Sequence, residues 1–298
     1  EIHLAAKGES VRCDSGALVM TNSFGFGGNN CTLVLGVSEA AEPAVEPTVR
    51  PDPEIAATVE AWSAWAPGLV DRDAWRKWAA APSRIGDGGP PDARFIPAML
   101  RRRCTPLTRI VVTAAFDCCD EARRRDVRTV FASRHGSINE SIDLIEAVVS
   151  REKISPMKFS HTVHNAQAGL FSIAAGNREA SSSLAAQGDT FLGGFVEALC
   201  HLQREPDRPV LLILGDVPLA PTFAPLCDEV PASYGLALLL TTGGEGTRLG
   251  FRIGGGDAPS PSEERPWPDA LEFLRWLLTG EPSVSLESRG RRTSWTRR

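Results

Sequence analysis

Nine residues near the start of the chain, Asn22-Ser23-Phe24-Gly25-Phe26-Gly27-Gly28-Asn29-Asn30, carry its sharpest chemical signature. Three glycines fall within four positions, and apolar runs at Ala17 to Met20 and Thr32 to Leu35 close the segment on both sides. Glycine adopts strained dihedrals at little cost, so a turn of this kind brings bare backbone N–H groups against a small anionic or polarised oxygen. That is the chemistry of an oxyanion hole, centred on Phe26, Gly27 and Gly28. A generic glycine-rich hairpin is the plainer alternative, and the length of the pattern with its flanking strands weighs against it.

Other reactive residue types are scattered. The seven cysteines (Cys13, Cys31, Cys104, Cys118, Cys119, Cys200, Cys227) are odd in number and contain no C-x-x-C. Most sit in apolar periodic segments, so they read as reduced core thiols, Cys200 among them, with no zinc site. His161 and His164 have the spacing of two ligands on one helical face, but no third ligand stands nearby in the sequence. His135 and His201 lack a partner at informative spacing, and no histidine follows Ile253. Ser181-Ser182-Ser183 lacks a G-x-S-x-G elbow and reads as part of a strand. No metal and no cofactor are expected.

The elements that must position these residues follow from composition and period. At 298 residues and 42% hydrophobic content, the chain suits one large domain or two smaller ones with an ordinary core. No apolar stretch reaches the roughly 18 residues of a membrane span, and no basic-plus-apolar leader opens the sequence, so a cytoplasmic location is expected. A net charge of −5 argues against a dedicated nucleic-acid binder, although arginines gather at 101–103, 123–125 and 289–298. Ser38 to Pro53, rich in Glu, Ala and Pro, reads as a semi-rigid linker. Pro82 to Asp92 and Gly254 to Pro268 read as loops.

Between them strands and helices alternate. Strands are expected at Val59 to Trp65, Val127 to Ser133, Ser181 to Ala186, Pro209 to Leu214, Tyr234 to Thr241 and Thr247 to Ile253, the Pro209 run being apolar enough for burial on both faces. Helices are expected at Leu107 to Glu121, Ser141 to Ser150 (apolar face Ile142, Ile145, Val149), Asn165 to Gly176 and Asp189 to Arg204. A last helix spans Ala270 to Thr279 with Asp269 as its cap. This is a layered α/β domain.

The glycine-rich segment resembles the C-terminal gating loop of β-ketoacyl-acyl-carrier-protein synthases, N-S-F-G-F-G-G-x-N followed by a final strand. In that family the nucleophile lies far upstream of the loop, yet only 21 residues precede Asn22. Residues 1–36 therefore read as the tail of such a synthase, followed by a linker at 37–57. The body, residues 58–280, resembles the short ketosynthase-like, chain-length-factor-like proteins that carry only the N-terminal domain. The matching residues are Trp65-Ala66-Pro67-Gly68-Leu69, Ile96-Pro97 through Arg101-Arg102-Arg103 to Pro106-Leu107-Thr108-Arg109, Val130-Phe131-Ala132-Ser133 with His135-Gly136, Ser155 through Ala166, Asp189-Thr190-Phe191 and Glu197-Ala198-Leu199. Residues 281–298 are left as a disordered basic tail.

The resemblance implies a thiolase-like layered αβαβα half-domain with a mixed sheet, working in iterative chain assembly of the aryl-polyene, xanthomonadin-like kind. Condensation requires a cysteine thiolate at a helix N-terminus and two histidines. The family's nucleophile turn falls on Gln187-Gly188-Asp189-Thr190, which contains no cysteine. Asp189 and Thr190 thus mark a degenerate nucleophile position, with Asp189 expected as helix N-cap, and no catalytic residue is assigned. The implied function is that of a non-catalytic partner in a heterodimer with a β-ketoacyl synthase subunit served by an acyl carrier protein. Phe191, Phe195 and the segment from His161 to Phe171 are then expected near the interface. Arg101 to Arg103 either receive the acidic carrier protein or form a solvated or internally salt-bridged run. An active acyltransferase or condensing enzyme with an unconventional residue, and a fragment of a fused synthase and partner, stay open as alternatives.

Overall fold

The computed structural model describes residues 18–24, 30–36, 55–255, 267–288 and 291–298. The chain divides into two compact units, residues 1–51 and 52–298. In the first, strands β1 (Leu18–Phe24) and β2 (Asn30–Gly36) pair antiparallel, with Leu18 opposite Gly36 and Phe24 opposite Asn30. Phe26, Gly27 and Gly28 lie outside the described residues.

The second unit opens on β3 (Ile55–Trp65), four residues longer at its start than its apolar run suggested. Helix α1 (Arg72–Ala80) follows, its first turn capped by Asp71, whose carboxylate accepts the Ala74 N–H at 2.8 Å. Trp75 and Trp78, three apart, go into the core from one face. A single turn, α2 (Ala98–Arg101), leads to α3 (Pro106–Cys118), which Thr105 caps and Pro106 begins. The sequence suggested one helix to Glu121. It stops at Cys118 because Asp120 caps a new helix, α4 (Glu121–Asp126), through the Arg123 N–H at 2.8 Å.

Strand β4 (Arg128–Ala132), α5 (Ile138–Val149), α6 (Pro156–Ser160) and α7 (Ala166–Ala175) come next. Helix α7 ends on Gly176 in the left-handed conformation, as its glycine suggested. The remaining elements are β5 (Ser181–Leu184), α8 (Thr190–Arg204), β6 (Val210–Asp216), β7 (Tyr234–Thr241), β8 (Thr247–Gly255), α9 (Asp269–Thr279), β9 (Ser283–Ser288) and β10 (Arg291–Arg297). Asp269, expected as the cap of the last helix, is its first residue and makes no capping bond.

Eight strands form one mixed sheet in the order β5-β4-β6-β7-β3-β8-β10-β9. The β5, β4 and β6 strands run parallel, and every other neighbouring pair is antiparallel. One face carries α1, α8 and α9 and the other α3 and α7, so β4 and β6 are buried on both sides and their Val, Leu, Ile and Phe side chains point into two cores. Helix α3 lies close on the sheet. A Cβ at Gly215 would stand 2.5 Å from Val111 Cγ1, and one at Gly235 3.0 Å from the Ile110 carbonyl oxygen, so only glycine fits at both positions.

The expected disordered tail is part of this sheet. β9 and β10 form a hairpin that pairs with β8, and Trp295 is fully buried. Its ring lies 5.3 to 5.7 Å from those of Phe191, Phe195, Phe251 and Phe273. The arginines that suggested solvated chain are also engaged. Arg297 donates to the Trp276 and Leu277 carbonyls at the C-terminus of α9, where cationic donors satisfy free carbonyls, and Arg292 pairs with Glu287 at 2.8 Å. Charge density hid one aromatic residue with a large apolar surface. Trp295→Ala is expected to cost about 4 kcal/mol in urea unfolding, the range for emptying a buried aromatic site. Deletion of residues 283–298 is expected to abolish the cooperative transition.

Candidate functional site

The segment that could hold a nucleophile runs from the end of β5 into α8. Gln187 to Asp189 form a single 3-10 turn, and the helix starts at Thr190. Gln187 sits at the exposed tip with φ of +53°, one of three non-glycine residues with positive φ among the described residues. A strained side-chain-bearing residue between strand and helix is the geometry of a nucleophile elbow, which holds its side chain clear of the backbone. Thr190 closes the turn: its Oγ1 donates to the Gln187 carbonyl at 2.7 Å and accepts the Ala186 N–H at 3.0 Å.

Asp189 does not cap the helix as expected. With φ of −85° and ψ of 15° it already follows the helical path instead of the extended conformation a cap requires, and its Oδ1 is buried without a hydrogen-bond partner. Phe191 and Phe195, expected near an interface, point inward to the aromatic core of their own chain.

Beneath the turn lies a polar floor. Asp216, at the end of β6, is buried and accepts the Ser133 hydroxyl at 2.7 Å, the Arg134 N–H at 3.0 Å and the His135 N–H at 2.8 Å. Burial pushes its carboxyl up, and these donors oppose the shift. Arg134 pairs with Asp228 at 2.7 Å and Glu229 at 3.0 Å. Burial raises the Tyr234 phenol well above its usual range, with Asp216 adding to the effect. Burial, with Glu229 and Asp189 nearby, pushes Asp269 up to about 7. The space that Arg134, Asp216, Glu229, Tyr234 and Asp269 enclose with Gln187 and Gly188 is about 20 Å³, room for about one water and not for an acyl chain.

The remaining candidates separate. Ser181 and Ser182 lie on β5 and bond Thr129 and Glu197, as strand residues do. The His164 ring covers Gly136 and its Nε2 bonds the Ser133 carbonyl at 3.0 Å, whereas His161 Nε2 is buried with no hydrogen-bond partner. Burial and Arg103 lower the His161 pKa. Burial raises Cys118 to about 12 and Cys119 to about 11, away from thiolate chemistry. Cys200, expected in the core, is exposed, because α8 buries the face carrying Phe195, Leu199 and Leu202. His201 faces Glu197 at 3.4 Å, an i, i+4 pair that the sequence offered and periodicity of apolar residues alone did not pick out. His135 meets Glu229 at 3.8 Å, a contact across 94 residues that no local spacing reveals. Arg102 and Arg103 are exposed and make no ion pair among the described residues, so their run is solvated.

A family model of the β-ketoacyl synthase N-terminal domain matches residues 75–296. The chain belongs to this family. The match includes the β9–β10 hairpin, which makes those strands part of the ketosynthase-like domain. Among solved structures, the chain resembles one from the ketosynthase ApeO in complex with its chain length factor ApeC from Xenorhabdus doucetiae, with 28% identity and a TM-score of 0.68, over 80% of this chain and 99% of that one. A chain of the ishigamide ketosynthase/chain length factor aligns at 12% identity and a TM-score of 0.61, over 81% of this chain and 99% of that one. A chain of AntDE:AntF, a type II PKS acyl-carrier protein in complex with its ketosynthase, gives 12% identity and 0.61, over 82% and 99%. These last two share the fold. A search of curated proteins gives no match.

Two outcomes check the site. Gln187→Val, which puts a β-branched residue at positive φ, is expected to destabilise by about 2 kcal/mol, while Gln187→Gly leaves the denaturation midpoint nearly unchanged. Asp269 holds its proton more tightly in the folded chain (about 7) than an unfolded aspartate (about 4), so it costs stability as pH rises through that window. Asp269→Asn is accordingly expected to raise the melting temperature at about pH 8 and to change it little below about pH 4.

Proposed function

We propose that this chain is the non-catalytic, chain-length-factor-type partner of a carrier-protein-dependent β-ketoacyl synthase in aryl-polyene-type chain assembly. The observation that carries the reading is Gln187 at the elbow. An amide nitrogen delocalised into its carbonyl neither attacks a thioester nor leaves as a thiolate does, so the strand-turn-helix geometry is kept without its reagent. The neighbour at 28% identity comes from a complex of a ketosynthase with its chain length factor, which supports the same assignment.

The partner's place is supported by the uncovered side of the unit. The sheet ends on β5, whose outer edge carries no neighbour among the described strands. Helix α5 is amphipathic in sequence, yet Ile145, Val148 and Val149 on it are exposed, as are Met157 and Phe159 of α6 and Ile173 of α7. Among the described residues, eight of the thirteen exposed large apolar side chains lie between 138 and 173, a concentration that marks a protein interface. The synthase subunit docks there, and the run from half-buried Arg101 to the exposed Arg102 and Arg103 offers a surface for the acidic carrier protein. Residues 1–36 are read as a synthase tail whose Phe26, Gly27 and Gly28 serve a synthase's oxyanion site, and the stretch from residue 37 up to β3, which begins at Ile55 and not at the expected 58, as the linker to this domain. No described helix is long and apolar enough to cross a membrane. Work with a carrier protein is what supports the reading of a cytoplasmic location.

Reconstitution with a catalytic synthase, malonyl-loaded carrier protein and an acyl primer is expected to yield product only when both chains are present; product from this chain alone overturns the proposal. Ile145→Asp with Val149→Asp is expected to leave the unfolding midpoint unchanged and to weaken heterodimer formation about 30-fold or more, read by analytical ultracentrifugation.

A further inference from the structure

One cluster of ligating side chains plays no part in the partner role. His135 leaves the turn after β4, where its backbone N–H is fixed on Asp216 Oδ1 at 2.8 Å. Cys227 and Glu229 come from the long connection between β6 and β7, and the Cys227 thiol donates to the Glu229 carbonyl at 3.5 Å, so one tight turn carries both side chains. One nitrogen, one sulfur and one carboxylate oxygen from the three residues all lie within 4.8 Å of one another, with His135 Nε2 and Glu229 Oε1 at 3.8 Å. Ligand atoms about 2.0 to 2.3 Å from a shared tetrahedral ion stand roughly 3.5 Å apart, so closing the set needs shifts of about an ångström or less.

Two further features prepare the site. Arg134 holds the other oxygen of Glu229, Oε2, at 3.0 Å and Asp228 at 2.7 Å, which orients Oε1 toward His135 as an outer partner orients a metal ligand. Beside the three donors lies a cavity of about 70 Å³, bounded also by Asp216, Pro218 and Leu219, with room for a water in a fourth position. The carboxylates of Asp216 and Asp228 offset the charge that Arg134 brings near.

The geometry points to a binding site for one Zn²⁺-class ion on His135 Nε2, Cys227 Sγ and a Glu229 carboxylate oxygen, its fourth position open to the cavity. A thiolate, an imidazole and a carboxylate suit a borderline-soft ion, whereas calcium and magnesium take oxygen ligands. On binding, the Cys227 thiol gives its proton to solvent. The ion ties the turn after β4 to the β6–β7 connection and so braces the polar floor under Gln187.

The test is a Co²⁺ titration of the reduced, metal-free full chain, followed by optical absorption. The expected result is one equivalent showing tetrahedral d–d bands with a thiolate-to-cobalt charge-transfer band, both displaced by Zn²⁺. Cys227→Ser loses the charge-transfer band, Cys227→His keeps d–d bands without it, and His135→Ala or Glu229→Gln weakens Co²⁺ binding about 100-fold or more. Cys200→Ser, altered at the exposed thiol of α8, keeps the full spectrum. No d–d bands in the wild-type chain, or a charge-transfer band that survives Cys227→Ser in protein whose circular dichroism is unchanged, overturns the assignment.

Discussion

Everything at the elbow depends on where α8 is held, and one aromatic cluster holds it. Phe191 and Phe195, on successive turns of α8, meet Phe273 of α9, and Phe195 meets Phe251 of β8, while Trp295 of β10 touches all four rings. Most of these contacts are tilted or edge-on, the arrangements that ring quadrupoles favour, and together they bury a large apolar area. The last strand therefore fixes the helix that follows directly on the Gln187 turn. The two are separated by more than a hundred residues.

The opposite face is governed by close approach. Glycine at 215 and 235 lets α3 settle onto β6 and β7, and the buried faces of α3 and α7 then complete the second core. Such packing tolerates little change in volume, so the strand ends that present Ser133, Asp216 and Tyr234 are rigidly set. Arg128 adds a polar fastening at the far end of β4. Its guanidinium is buried and donates to the His201, Glu205 and Arg208 carbonyls, which anchors the C-terminus of α8 to the sheet.

What stands beneath the elbow is polar and dense with acids: Asp216, Glu229 and Asp269 line a space of about 20 Å³, Asp189 acts on Asp269 from nearby, and Arg134 is the chief counter-charge. Buried carboxylates that lack full compensation cost stability, which is why burial raises the pKa of Asp216 and Asp269. A site of this character favours a fixed scaffold over a reacting acyl chain. The exposed apolar side chains of α5, α6 and α7 do not line that space.

The sequence by itself determined the alternation of strands and helices, the glycine that ends α7, the two-sided burial of β6 and the turn before α8, because each rests on local period or on one residue's backbone preference. It also determined that this turn holds no cysteine. Only the tertiary structure decided that Gln187, and not Asp189, takes the strained position, since dihedrals at a turn are set by how β5 and α8 dock. Cys200 is exposed and Phe191 buried because the rotation of α8 on the sheet selects the face. The basic C-terminal segment reads as solvated chain until Trp295 meets rings contributed from far along the sequence, and His135, Cys227 and Glu229 become neighbours only when the β6–β7 connection folds back onto the turn after β4. Local pattern specifies elements; contacts across long separations, stabilised by burial that only the complete sheet provides, specify the sites.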